Sequence, residues 1–416
     1  MISEEQIDLL VERLIRRIEK ANEYFFKKIG ASVGRIRELT PTQAQQLVNI
    51  LKYGGNYEDI MQELAKYTNL NIQEIDDIFY NYAKKDQLFY RKFYEYRNIP
   101  FTPFDRNYAL KTQTMAFANL VKNEMYNYTR QNVLGYAIKD LQGVTRFMGL
   151  RETYNYVLDE ALLNVSQGKD TFDSAMSRIM KEIGGSGLKT LEYQSGRHIR
   201  LDSAVRTHLK DNLQALHNEL QDIYGKEFGA DGVEISVHGN PAPDHELVQG
   251  RQFNNEEFDR LQSGLSAKDY KGNTYTLDHD NKNGYRPIST MNCYHYIFNI
   301  VLGVSEPSYN DKQLNEIINN NKIGFDFDGN HYTMYEGTQM QRALERKIRE
   351  QKDIQILAKN SNNKKLIDES QKNITILTNK YKELSNISGL PTKMKRLTVS
   401  GYRRKKVKWC IDYMEI

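Results

Sequence analysis

The stretch Val233-Glu234-Ile235-Ser236-Val237-His238-Gly239-Asn240-Pro241-Ala242-Pro243-Asp244-His245 decides the fold class. Its first five residues alternate apolar and polar with period two, the mark of a strand with a covered face. The remaining eight contain two prolines and Gly-Asn, so the strand runs directly into a loop that begins and ends on a histidine. Upstream the sequence reads as helix almost throughout. Downstream, residues 250–335 are dense in Gly, Asn, Asp and Tyr, with short extended stretches at 274–277 and 325–334. The reading is α+β: a helical N-terminal domain (1–185), a loop-rich α+β core (186–336), a helical or coiled segment (337–390) and a basic tail (391–416).

Helix signals fill the first part. Ser3 with Gln6 has the form of a capping box, ahead of Ile7, Leu10, Leu14, Ile18, Ala21 and Phe25 at helical spacing. Thr40-Pro41-Thr42-Gln43 opens a second helix, closed by Gly54-Gly55. Asn71 with Glu74 reads as the start of a third, carrying Ile75, Ile78, Phe79 and Tyr82. Residues 79–104 crowd Tyr and Phe around Arg91, Lys92 and Arg97. Such a run can stack on bases, but at this spacing it reads first as core or protein interface. Helix is expected to continue to about Ile183, where Gly184-Gly185-Ser186-Gly187 breaks the chain. Near the other end, Met340, Leu344 and Ile348 are spaced by four. Ile367, Ile374 and Tyr381 mark a heptad seam joined by Leu377 and Leu384.

Composition narrows the function. The 416 residues carry 58 Lys+Arg against 54 Asp+Glu, a net charge of +4 that is too small to make the whole chain a nucleic-acid binder. The positive charge is concentrated: residues 391–416 hold eight basic and two acidic side chains, leaving the rest slightly negative. Arg403-Arg404-Lys405-Lys406-Val407-Lys408 can neutralise phosphates by sequence-blind, salt-dependent contact, or can end the chain as a solvated segment. Two cysteines cannot build a disulfide framework, and the acidic start Met1-Ile2-Ser3-Glu4-Glu5 is unlike a signal peptide. No apolar run approaches the ~18 residues a membrane span needs, so a cytosolic, membrane-free protein is expected. There is no phosphate-binding Gly-x₄-Gly-Lys-[Ser/Thr] loop and no Gly-x-Gly-x-x-Gly after a strand, which disfavours an ATP-driven motor or a dinucleotide enzyme.

The residues that carry chemistry cluster downstream. His238, His245, His279, His295 and His331 fall close together in sequence, beside Cys293. Imidazole and thiolate suit zinc, which takes four such ligands. The spacing, seven residues between the first two histidines and a Cys-x-His pair, is unlike the tight paired ligands of structural zinc sites. The expectation is therefore no cofactor, with histidines that pin loops by hydrogen bonds. Zinc on His238, His245, Cys293 and His295 is the alternative. A hydrolase using Cys293 with one of these imidazoles is a further alternative, although no nucleophile signature surrounds the cysteine. The pairs Asp278/Asp280 and Asp326/Asp328 sit among Gly and Asn and read as solvated turns.

The run from Val233 through His238, Pro243 and His245, followed by Gln249-Gly250-Arg251, resembles the phage minor capsid proteins related to the Mu F-like head morphogenesis proteins. So do Asn292-Cys293-Tyr294-His295, the upstream blocks Ser195-Gly196-Arg197 and Leu201 to Arg206, and the helix from Tyr335 to Arg349. Together these blocks span about residues 190–400 and keep their order. Where members often carry Arg, Trp and Arg, this chain has Ala242, Val248 and Tyr294, while His238, His245 and Cys293 remain. That combination favours a scaffold over an active site. The resemblance implies a structural, non-enzymatic protein of the tailed-phage head, assembled in the bacterial cytoplasm. Its implied partners are the portal protein, major capsid or scaffold proteins and packaged double-stranded DNA.

Overall fold

The computed structural model describes residues 4–130, 134–139, 143–191, 198–277, 286–290, 293 and 295–402. The chain opens with three helices, α1 (Glu4–Ile36), α2 (Pro41–Tyr53) and α3 (Asn56–Tyr96), followed by α4 (Tyr108–Arg130). Thr40 caps α2 as its sequence requires: its hydroxyl accepts from the Gln43 N–H, and the Gln43 side chain accepts from the Thr40 N–H. Ser3 lies outside the described residues. Asn71 does not start a helix. α3 runs through it, and its buried side-chain amide donates to the Leu14 carbonyl (3.1 Å), tying α3 to α1. The polar residue that mimics a cap in sequence is a cross-link in space.

The expectation of unbroken helix to Ile183 also fails. β1 (Leu134–Lys139) and β2 (Thr145–Gly149) form an antiparallel hairpin before α5 (Leu150–Val165) and α6 (Lys169–Ser186). Leu134, Tyr136 and Ile138 alternate into the core, a period-two signal hidden inside a largely helical region. β3 (Lys189–Leu191) and β4 (His198–Arg200) complete a four-stranded sheet of order β2-β1-β3-β4. α6 runs to Ser186, and Gly187, with φ +61°, closes it. Gly184, within that last turn, is where another helix makes close contact.

α7 (Leu201–Phe228) leads into the second half. The strand read from Val233 is β5 (Gly232–Ile235), the centre of a three-stranded antiparallel sheet between β6 (Gln252–Asn254) and β9 (Ile297–Ile300). Both of its faces are covered: even Glu234 is buried, accepting from the Gln252 side chain (2.8 Å) and the Ser308 N–H. Between these strands lie α8 (Asn255–Gln262) and the small pair β7 (Ala267–Lys268) and β8 (Thr274–Tyr275). α9 (Asp311–Ile323) precedes the hairpin of β10 (Phe325–Phe327) and β11 (Asn330–Tyr332). α10 (Met334–Asn360) and α11 (Lys364–Ser388) then form an antiparallel helical hairpin, with cross-links from Gln341 to Ser385, Glu345 to Tyr381 and Gln355 to Gln371. The heptad seam faces inward, with Ile374, Tyr381 and Leu384 buried.

Among the described residues, apolar burial is organised in three cores. The largest joins α1 to α7 and extends onto Ile354, Ile356, Leu357 and Ala358 at the C-terminal end of α10. A second lies around the β5 sheet and α8. The third unites β10, α11 and the N-terminal half of α10 through Phe325, Leu344, Ile348 and Tyr381. The aromatic run 79–104 is mostly core: Phe79, Tyr82, Tyr90, Tyr94 and Phe104 are buried, whereas Phe89 and Tyr96 are exposed. The Phe228 ring stacks on Tyr90 and Phe93, closing α7 onto α3. Among the described residues, no helix is long and apolar enough to cross a membrane.

A buried ion network crosses the junction of α1, β4, α7 and α10. Arg200 bridges Asp202 (3.2 Å) and Asp353 (3.2 Å), and Arg349 pairs with Asp202. The two arginines hold the Asp202 carboxyl far below the usual range against the opposing cost of burial. Burial instead pushes the Asp353 carboxyl up to about 6 despite Arg200. Glu19 on α1 is pushed up to about 8, first by burial and then by the charges of Asp202 and Asp353.

Candidate functional site

The loop after β5 brings three of the five clustered histidines together. Pro243 stands exposed where the chain turns, and His245 is anchored by its N–H to the Ala242 carbonyl (3.1 Å). Gly250, with φ +69°, ends this loop. A Cβ there would lie 2.4 Å from Leu314 and 2.9 Å from Val237, so glycine satisfies both the conformation and the space. Cys293 falls between two imidazoles: its Sγ lies 3.4 Å from His245 Nδ1 and 3.5 Å from His295 Nδ1. His245, Cys293 and His295 are all buried, at most 3% exposed, which seals the thiol from bulk reagents. The His238 ring meets His295 edge-on, with centroids 4.5 Å apart. His331 lies elsewhere, exposed on β11 against Asp326 (2.8 Å), and His279 lies outside the described residues.

The surrounding groups fix each ring. His245 Nε2–H donates to the Arg286 carbonyl (2.7 Å), and the Arg286 guanidinium grips the buried Asp244 carboxylate through two hydrogen bonds (2.9 and 3.0 Å). Gln249 Oε1 accepts from the His238 N–H (2.9 Å) and lies 3.4 Å from His295 Nε2. From α7, the Gln214 amide donates to the His295 carbonyl (2.6 Å) and to Ser289 Oγ (3.0 Å), and Asn218 donates to the Ser289 carbonyl (3.2 Å). Ser289 adopts the left-handed conformation, φ +62°, and its N–H donates to Cys293 Sγ (3.3 Å). Gln214, Asn218, Arg286 and Ser289 carry no motif of their own. α7 is about eighty residues from the cysteine, and only the folded chain brings them into contact.

The electrostatics oppose nucleophilic chemistry. Burial pushes the Cys293 thiol up, with hydrogen bonds from the backbone working against it. Burial pushes His245 down and His295 down to about 2. A cysteine hydrolase needs the reverse, a thiolate beside an imidazolium with access to substrate. His238 and His295 line a cavity of about 250 Å³ together with Thr338, Arg342 and Glu345 of α10 and with Lys393 and Arg396 after α11.

Of the remaining residues singled out in the sequence, Arg206 on α7 binds Glu12 of α1 (2.9 Å) and so braces the helical body. Asp326, read in the sequence as a turn residue, is instead a strand residue of β10 paired with His331 across the hairpin, whereas Asp328 does lie in the turn and pairs with Lys380. Ser195, Gly196, Arg197, Asp278, Asp280, Asn292, Tyr294 and the basic residues Arg403, Arg404, Lys405, Lys406 and Lys408 lie outside the described residues.

Residues 2–386 match the family model described as phage minor capsid protein 2. The chain belongs to that family. No curated protein and no solved structure matches it. The match covers the helical first half as well, α1 to α6, where no motif stands out in the sequence. Membership places the protein among the structural components of a phage capsid rather than among enzymes, and it implies contact with other virion proteins.

Proposed function

We propose that this minor capsid protein is a Mu F-like head morphogenesis component that docks on the portal vertex and lies beside packaged DNA. The observation that carries the reading is the family match over residues 2–386, joined by the sequence blocks around His238–His245 and Cys293–His295. In this reading the helical part, residues 1–185, meets the portal, and the α+β part packs within the head. Assembly follows burial of apolar surface at about 25 cal/mol per Å² against the partner. The basic residues of 391–416 hold nearby phosphates weakly and reversibly. The braced, sealed character of the His/Cys centre supports an architectural role.

The test is co-expression with the portal and major capsid proteins of the same phage, followed by purification of procapsids. The chain is expected in those particles in few copies and is expected to be lost when the portal is omitted. Particles that contain portal and lack this chain would overturn the proposal. The DNA contact predicts affinity that falls steeply with salt and disappears on deletion of residues 403–416. Salt-independent binding, or binding unaffected by the deletion, would remove that part.

A further inference from the structure

We propose that His245 Nδ1, Cys293 Sγ and His295 Nδ1 form a binding site for a thiophilic divalent cation of the zinc class, which clamps the 238–250 loop to the 286–295 segment. The three atoms lie within 4.8 Å of one another, and all three residues are buried. Tetrahedral zinc with Zn–S near 2.3 Å and Zn–N near 2.0 Å separates sulfur from nitrogen by about 3.5 Å. The two observed separations are 3.4 and 3.5 Å. Those distances alone also suit a thiol hydrogen bond, so the count of protons decides.

His245 Nε2 must carry a hydrogen, because its partner is the Arg286 carbonyl. Its Nδ1 therefore presents a lone pair to the sulfur. Gln249 Oε1 is fixed as the oxygen of its amide, because it accepts from the His238 backbone N–H. His295 Nε2, facing that oxygen, donates, and its Nδ1 likewise presents a lone pair to the sulfur. The thiol has one proton for two lone pairs, and the sulfur already accepts from the Ser289 N–H. Protonating either ring would place an imidazolium where neither residue is more than 3% exposed. Reversing the His295 tautomer moves the mismatch to Gln249, where lone pair would face oxygen. A cation resolves the mismatch: it takes both lone pairs and the thiolate, and every outer hydrogen bond is retained.

The surroundings match what metal-binding histidines have. Each ring's outer nitrogen meets an oxygen acceptor, one a backbone carbonyl and one an amide, as second-layer partners that set tautomer and orientation. Ser289 is held in a conformation that non-glycine residues rarely adopt, and this aims its N–H at the sulfur. The Cys293 N–H donates to the Thr290 carbonyl (2.9 Å), which fixes the backbone that carries the sulfur. His238, whose ring meets His295 edge-on, and the cavity that both line are the neighbours of this cluster. Sequence spacing argued against a metal because the ligands come from two loops, not from paired knuckles. This inference is independent of portal docking and holds or fails without it.

The experiment uses the full chain, expressed in zinc-supplemented medium and desalted without chelator. Elemental analysis is expected to give about one zinc per chain. Cys293→Ser and His295→Gln are each expected to lower it at least tenfold, while His331→Gln, at the exposed histidine, keeps it. Where a variant fails to fold, wild-type protein stripped of metal is titrated with Co(II). A thiolate-to-cobalt charge-transfer absorption saturating at one equivalent, and absent when Cys293 has been alkylated in the unfolded chain before refolding, is the expected signature. Folded wild-type protein that carries less than a tenth of an equivalent of zinc and gives no such absorption would overturn the proposal. So would zinc retained in full by Cys293→Ser.

Discussion

Two adjacent glycines near the end of α6 give opposite expectations for the same substitution. At Gly184 an added Cβ would lie 2.6 Å from Ile354 Cγ1, 2.7 Å from the Ile354 nitrogen and 2.9 Å from its Cα. Two of those three atoms are backbone of α10, so no rotamer change relieves the clash and the helices must separate. Forced overpacking of this kind costs about 1–3 kcal/mol. At Gly185 nothing lies within 4 Å of the added atom, and the residue is helical. Alanine there gains about 0.5–1 kcal/mol by restricting the unfolded chain. Gly184→Ala should therefore lower the urea midpoint of the helical body, and Gly185→Ala should raise it, a spread of about 1.5–4 kcal/mol between neighbours. Far-ultraviolet circular dichroism follows the transition. Hydrogen exchange in residues 350–360 reports whether the loss is local to the α6–α10 contact. If Gly184→Ala matched or exceeded the wild-type midpoint, α10 would not dock on α6 at this distance, and the shared core of the first half and the C-terminal hairpin would need redrawing.

Glu19 holds a proton in the folded protein up to about pH 8, whereas the unfolded chain releases it near 4.5. It therefore makes stability fall as pH rises through that window. The buried imidazoles work the other way below their ordinary value, so the readout is the difference between wild type and Glu19→Gln. Gln should be the more stable at pH 8 and lose the downward slope, and parallel pH profiles would refute the assignment. Arg200→Leu strands the buried Asp353 carboxylate and is expected to cost about 3–5 kcal/mol, part of it recovered in the Arg200→Leu/Asp353→Leu double variant; full additivity in denaturant titrations would show that the pair does not interact. Phe228→Ala removes the ring between Tyr90 and Phe93 and should cost about 3–5 kcal/mol, whereas Tyr96→Ala, exposed on the same helix as those rings, should stay within about 0.5. Equal midpoints for the two would contradict the packing of α7 on α3.

What the sequence discloses is set by the range of the interaction. Thr40 and Gln43 act within one turn, so the capping box and the helix behind it are legible. Val233 to Val237 alternate as a strand should, and β5 is where that pattern places it. Asn71 misleads because the same amide that caps a helix can also bond a carbonyl 57 residues away. The β1–β2 hairpin is missed because one buried strand of six residues between helices offers too short a run to overturn its surroundings. At the candidate site, His238, His245, Cys293 and His295 are visible as residue types, and their meeting follows from the loops after β5 and before β9. Arg286, Gln249 and Gln214 determine which nitrogen faces the sulfur, and nothing in their local sequence announces it.

α10 is one uninterrupted rod of 27 residues, roughly 40 Å end to end, seated in one core at its start and in another at its finish. A strut mounted in two sockets leaves no swivel between them. Any tilt imposed near Thr338 or Arg342, at the cavity they line with His238, must reappear at Ile354 and Leu357 beneath α1 and α6. The two halves of this capsid component are therefore geared to move together when a neighbour presses on either one.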